Sequence, residues 1–467
     1  MSTVETRGVD IVPEHERTSR PSEFGWIWHS AQFSFGTVVL GALPVLFGLS
    51  WWASATAIVA GAAVGTLLIV PLVRFGLRTG TNNPVASGAH FGVRGRVAGN
   101  LITIGVALGF FAITVWTGGT AMMVASAKLF GTPTGRGALA VAMPAVAVAV
   151  ILVAVYGQRA LLVTYRVTAV VGGIVLAALV VVLAPRFDAA YAGGELALSS
   201  PIHTWLLAAG VAVSVPMSYA TFQGDYSRYM RPPDRPVMLW NSGSLFLSCV
   251  IAMLVGAFAT TTLTNPALPW LQGITEVTPP WFAGVVIVFG LVGSFPQGGL
   301  CVYAAGLSAQ SIFWRASRAL VTFLVSLVGV ALVYLGAVVF EATDAMTAFV
   351  TLLLTFVAPW SAIMTVGYIR FKGEYRAEDL HSYATPESRG RYWYSGGVNP
   401  LALIAFAVGV AVGLLGSSTP LYTGPLSRLL GDVDVGYAAS FAVAGVLFAL
   451  LDRTPRPAAA PSLEKVG

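Results

Sequence analysis

Charge is what this sequence has least of. Asp, Glu, Lys and Arg make up 10% of its 467 residues, where soluble domains carry about 25%. With 56% hydrophobic residues and a mean hydropathy of +0.78, a soluble globule is excluded and a polytopic membrane protein is implied. Cysteine is nearly missing as well. Cys249 and Cys301 both fall inside apolar runs, which excludes a disulfide framework. No acidic residue lies deep in an apolar run, and Asp225, at the end of one, comes nearest. Metal-ligand clusters, nucleophile–base pairs and nucleotide motifs do not appear at membrane depth, so an enzyme is not expected. HFGVRG, residues 90–95, lacks the strand and the Lys-Ser/Thr of a phosphate loop. The N-terminus is polar without an apolar centre, unlike a cleaved signal peptide.

What the sequence has instead is membrane-length apolar runs. Twelve stretches approach the ~20 residues that a span needs: 26–49, 51–72, 97–127, 138–156, 161–184, 204–223, 238–262, 281–309, 318–340, 345–369, 399–417 and 435–451. The third, without a charge over its whole length, would be about 46 Å long and strongly tilted. With the N-terminus cytoplasmic, all Lys and Arg but Lys128, Arg136, Arg186 and Arg428 fall on the inner side, as the positive-inside rule requires. The +6 net charge therefore reflects insertion and anionic-lipid contact, and nucleic acid is not an expected partner. The expected location is the plasma (inner) membrane, multi-pass, with both termini cytoplasmic and the protein monomeric. Asn83 then belongs to an exposed inner loop and Thr275 to an outer one.

Several runs are interrupted. In His203–Pro233, Ser214, Pro216 and Ser218 fall within five residues. Pro216 removes a donor and clashes with the preceding turn, so a break is expected there. Gln32, Ser34, Gly36 and Thr37 interrupt the first span, Ser294 and Pro296–Gly299 the eighth, and Pro359–Ser361 mark the tenth. Freed backbone groups at membrane depth are tolerated where protein, ligand or water satisfies them. Interruptions in spans one and six stand five apart, and an odd number of spans per half inverts the second half. That is the arithmetic of an inverted-topology repeat, a common secondary-transporter plan. The expected division is a mobile tail at 1–22 and a core at 23–369, with repeats at 23–186 and 200–369. A cytoplasmic loop at 370–398, two accessory spans at 399–452 and a tail at 453–467 follow.

The interior is nearly uncharged, which suits a neutral, flat, hydrogen-bonding solute and no cofactor. Trp116 lies well inside span three, either as a stacking face for a planar ligand or as bundle packing. Trp360, after Pro359, is expected to pack, with a gate as the alternative. Asp225 and Arg228, three apart, would pair at the inner end of span six, as a helix closure or as a gate. His29 is structural or a proton carrier, and Cys301 a packing residue or a neighbour of an ion. Break carbonyls could bind Na⁺ without a carboxylate. A channel would need a continuous polar path, which these spans lack. A receptor of the same fold and an amino-acid transporter are the remaining alternatives.

GDYSRYM at 224–230 resembles the signature that follows the sixth helix in the purine–cytosine permease branch of the nucleobase:cation symport family. RTGTNNPVASGAHFGVRG (78–95), VYAAGLSAQ (302–310) and GRYWYSGGVNPLAL (390–403) agree in order, so that the resemblance spans residues 20–452. It implies an all-α, twelve-helix, five-plus-five inverted-repeat (LeuT-like) fold with broken helices 1 and 6 and two extra C-terminal helices. It also implies cation-coupled uptake of a nucleobase or related ring such as a purine, cytosine, hydantoin, allantoin or vitamin ring, driven by H⁺ or Na⁺. Substrate would meet Gln32 and Phe33 in helix one, and Trp116 and Thr120 in helix three. In helix six it would meet Ser214, Pro216, Met217, Ser218 and Tyr219, the last standing where many relatives have Trp. Helix eight would add Gln297 and Tyr303. Ion coupling or gating would fall to Gln32, Gln297, Cys301, Asp225, Arg228 and His29, with Na⁺ near helices one and eight. The thiol of Cys301 is a soft ligand for sodium, so protons are the expected driver.

Overall fold

A computed structural model describes residues 8–155, 158–265, 268–313, 316–338, 342–384, 390–419 and 421–452. Six of its helices are long and apolar enough to cross a membrane: Trp51–Thr79, Val97–Phe130, Val163–Arg186, Asp234–Thr261, Phe282–Ile312 and Ala345–Phe371. The pair Glu23–Gln32 and Phe35–Leu46, bent by 61°, makes a seventh. Shorter apolar helices lie at Arg136–Leu152, Pro201–Met217, Leu320–Gly336, Pro400–Gly416 and Gly436–Leu451. In chain order these segments match the twelve expected spans, and they are numbered one to twelve below. Two short strands, Ser418–Thr419 and Tyr422–Thr423, pair in the loop between spans eleven and twelve.

Small residues set the packing. Span two lies along span six, and a methyl added at Gly61 or Gly65 would overlap the carbonyl of Ala209 or Val213. Span seven lies along the second half of span one, where Gly41 meets the Met253 carbonyl and Gly256 the Val38 carbonyl. Backbones approach this closely only through glycine, as in other membrane bundles. Exchanging the two halves turns the two–six contact into the seven–one contact, the relation an inverted repeat demands. Spans three and eight cross beside them, with Gly118 against the Gly290 carbonyl and the Ser294 hydroxyl. Spans eleven and twelve pack on each other and on span ten, outside this core.

The structure corrects several expectations. Residues 8–20 of the tail pack against the bundle. Val9 and Val12 are buried, the Val12 amide donates to Gly80 O at 2.9 Å and Ser19 N to Tyr229 O at 3.0 Å. The 79–96 loop is not exposed. It folds as short helices, Asn83–Ala86 and Gly88–Phe91, with Thr81, Asn82, Asn83, Ser87 and His90 all buried. Tyr394 donates to Ala89 O at 2.6 Å and Asn399 Nδ2 to His90 O at 2.8 Å. The sequence segments 78–95 and 390–403 are thus two sides of one cap. Burial within it pulls the His90 imidazole down to about 3.

Span six breaks at 218–222, two residues past Pro216 rather than at it. The helix stays regular through Met217, and the Ser218 amide still reaches Ser214 O at 2.9 Å. Span eight is interrupted at Gly293, just before the polar residues that signalled it. Thr275 is buried too, in the helix Trp270–Val277, whose end is held by Lys128 Nζ on the carbonyls of Thr275 and Thr278. Trp360 packs, fully buried, against Gly99 of span three.

Candidate functional site

The breaks of spans one and six lie where both helices face span eight. Span one stops at Gln32, and Phe33 and Ser34 leave helical geometry before Phe35 restarts it. Gln32 is fully buried. Its Oε1 accepts from Thr37 Oγ1 at 2.9 Å, and its amide lies against the Tyr219 hydroxyl. The Ser34 hydroxyl is buried and unpartnered. Phe33 projects toward span five, close to Gly172 and Gly173.

Tyr219 stands in the first unwound residues after Pro216. Its hydroxyl donates to Gln297 Oε1 of span eight at 2.7 Å, and the Gln32 side chain lies beside the same hydroxyl. The Tyr219 ring meets Trp28 edge-on, with centroids 4.9 Å apart. Trp28 in turn is fixed by Nε1 donating to Asn241 Oδ1 at 3.0 Å. One aromatic residue therefore joins spans one, six and eight in a buried interior. Tyr219 and Gln297 are 1% and 3% exposed. Amide and hydroxyl groups in such a place are costly unless paired.

The other residues of span six turn inward on their own helix. Ser214 Oγ donates to Val211 O at 2.6 Å and Ser218 Oγ to Val215 O at 2.7 Å. Met217 is core. Ala220, in the broken turn, has its carbonyl capped by Asn83 Nδ2 at 2.8 Å. In span eight, Cys301 is buried one turn past Gln297, and Ser294 Oγ donates to Gly290 O at 2.5 Å.

Trp116 is placed differently from the polar cluster. Its indole lines an apolar cavity of about 230 Å³ with Ile113, Leu332, Val333, Met346 and Phe349, between spans three, nine and ten. Ile113 connects the two regions, since a methyl on Gly36 would come within 3.2 Å of Ile113 Cγ2. Thr120 does not face the cluster with its hydroxyl, which donates to Trp116 O at 2.8 Å.

Toward the N-terminal face, Asp225 and Arg228 are buried at the end of span six. The Arg228 guanidinium donates to Gly8 O at 2.7 Å and to the hydroxyls of Tyr229 and Tyr303, each at 3.1 Å. Tyr303 thus takes part in this closure. Tyr165 and Tyr226 share a hydrogen bond of 2.7 Å just below Trp28. His29 is half-buried, its Nδ1 donating to Gly25 O at 2.8 Å. Among the described residues, no three His, Cys, Asp or Glu gather as a metal site would require.

Residues missed by the sequence reading are Asn83, Asn241, Tyr165, Tyr226 and Gln223. Gln223 is fully buried with both amide atoms unpartnered. It immediately precedes GDYSRYM, and that adjacency was its one signal.

The sequence profile of a family described as permeases for cytosine/purines, uracil, thiamine and allantoin matches residues 11–443. A putative purine-cytosine permease of Bacillus subtilis (strain 168), YxlA, is 24% identical over 463 residues, 96% of each chain. Among solved structures, Mhp1, a nucleobase-cation-symport-1 family transporter, was captured closed with bromovinylhydantoin bound. It superposes with a TM-score of 0.76 at 17% identity, over 96% of this chain and 95% of its own. The inward-facing conformation of Mhp1 gives 0.72 at 18% identity, over 96% and 94%.

Proposed function

The chain belongs to the family of permeases for cytosine/purines, uracil, thiamine and allantoin, and from that premise we propose cation-coupled uptake of a small planar heterocycle through the junction of spans one, three, six and eight. The observation that carries the reading is the Tyr219–Gln297 hydrogen bond. It sets a hydroxyl and an amide, beside the Gln32 side chain, at two helix breaks in an otherwise apolar bundle. A flat ring with polar edges pairs such groups and tolerates the apolar walls, whereas a strongly ionic solute would find no counter-ion there. The cavity beside Trp116 adjoins this cluster through Ile113, and supplies an aromatic face. Alternating access would open the Lys128-held helix on one side or the Arg228 closure on the other.

The coupling ion on this reading is the proton, carried by Asp225, buried near the N-terminal face, or by the free Nε2 edge of His29. Sodium is the second reading, favoured by the unpartnered Ser34 hydroxyl. Phe33 O lies beside Gly293 of span eight, and hydroxyl and carbonyl oxygens are the hard ligands that sodium takes. The protein would sit in the plasma membrane as a monomer, with both termini cytoplasmic. A thermal-shift screen of purines, pyrimidines, hydantoins and allantoin on the purified protein tests the substrate class. Stabilisation by one of these rings supports it, and none of them binding contradicts it.

A further inference from the structure

We propose that the chain holds an anionic phospholipid from the leaflet on its N-terminal face, with the phosphate at Arg94 and one acyl chain laid in a groove between spans three, ten and eleven. The groove is a cavity of about 550 Å³ lined by Leu101, Gly105, Phe349, Leu352, Phe356 and Phe406. Its floor is a row on span three at helical spacing, Ala98, Leu101, Gly105 and Gly109, each partly or fully exposed. Missing side chains make it hollow, since a methyl on Gly105 would meet no atom within 4 Å. Leu101 and Phe356 are exposed on its rim, and what surrounds them in a membrane is hydrocarbon. From Ala98 to Gly109 span three rises about 16 Å, close to half of a ~30 Å hydrocarbon core. That is the reach of an acyl chain from one leaflet. A helix ~10 Å across would need roughly twice the volume over that length, so a second copy of the chain fits the groove poorly.

Charge selects the headgroup. Arg94 is exposed one turn before Ala98. Its stem lies against Gly397, just ahead of span eleven, and Nη1 donates to Gly396 O at 3.3 Å. The guanidinium stands 4.9 Å from the centre of the Trp393 ring. Neither partner is negative, and none of the ion pairs among the described residues involves Arg94. Phe91, three residues before it, meets Phe406 of the groove edge-on with centroids 6.1 Å apart. The cation therefore stands at the open end of the groove. Tryptophan beside an exposed arginine marks the headgroup level of a membrane, and a cation there attracts anionic lipid.

The far end of the groove gives the lipid a consequence. Gly105 and Phe349 also line the cavity of Trp116, so the two spaces adjoin. The Phe349 ring packs on Gly109 and meets Phe110 edge-on, with centroids 5.7 Å apart. An acyl chain in the groove backs this ring and holds the apolar wall of the Trp116 cavity in place.

The test is photo-crosslinking of the full chain in phosphatidylcholine vesicles. A small share of the lipid carries a diazirine in its acyl chain, under either a phosphatidylglycerol or a phosphatidylcholine headgroup, and adducts are mapped by mass spectrometry. In the wild-type protein they should concentrate on Leu101, Leu352, Phe356 and Phe406. The anionic probe should give about fivefold more than the zwitterionic one, the preference that one basic residue near the surface supplies. Arg94→Gln should remove that preference and Arg94→Lys keep it. Gly105→Leu fills the groove and should remove most adducts there with either probe. Gly284→Leu, at a span-eight glycine that also has open space beside it, should leave them unchanged. Adducts spread evenly over the membrane-facing helices, equal yields from the two headgroups, or a groove unaffected by Gly105→Leu overturns the proposal. So does a groove without adducts because a second copy of the chain covers it. If Gly105→Leu fails to fold, the two headgroups compared in Arg94→Gln and Arg94→Lys decide.

Discussion

The Asn83 side-chain amide donates to the carbonyl of Ala220 at 2.8 Å, across 137 residues of sequence. Ala220 lies in the broken turn of span six, where the helix supplies no donor for that carbonyl. A polar loop that folds back into the bundle thus completes the backbone of a broken span, which the low-dielectric interior requires. Asn83→Ala should lose ~1–3 kcal/mol of stability, the range for leaving a buried group unpaired. The check is the thermal midpoint in detergent. A variant as stable as wild type would mean that water takes over the carbonyl.

The folded N-terminal segment makes a second expectation. Gly8, Val9 and Val12 sit against Arg228, Thr81 and Gly80, closing the bundle on that face. Val12 is fully buried, and Val12→Asp places a charge where none is solvated. The segment should then detach and the closure loosen. Cys301, buried one turn beyond Gln297, should react faster with a small thiol reagent applied from the N-terminal face. An unchanged labelling rate would show that the segment does not restrict access.

Trp116 offers a third. Its indole lines the cavity beside the polar cluster, so Trp116→Ala should weaken binding of a planar ring by ~1–3 kcal/mol, as for base–aromatic stacking. Trp116→Phe should lose less. Titration calorimetry with the ring found in the screen measures both. Undiminished binding by the alanine variant would leave Trp116 as packing only.

Fold and site were legible to different degrees, for physical reasons. Spans are one-dimensional objects, so run length and the placement of Lys and Arg reveal them directly. The interruptions of spans one and six were visible because proline and small polar residues disturb a helix locally. The position of the second break was not, since the helix carries through Pro216 and yields at 218–222. Side-chain direction was less legible still. Each residue turns a helix by about 100°, so Trp116 faces spans nine and ten while Thr117, its neighbour, lies near Gly36 of span one. The Asn83–Ala220 and Gly8–Arg228 contacts join residues far apart in sequence, and no local pattern encodes them. In a chain so poor in charge, a polar loop reads as exposed surface, which is why the 79–96 cap was misplaced.

Coupled transport shows itself as gradient-driven uptake. Purified protein in proteoliposomes, supplied with a radiolabelled ring that stabilises it, is given an inward proton gradient with choline replacing sodium. Accumulation above the external concentration, abolished by an uncoupler at fixed external pH, is the predicted result. A strict requirement for sodium, saturating as for a single site, would replace the proton with sodium at Ser34 and Phe33 O. Equilibration without accumulation under either gradient would contradict coupled transport.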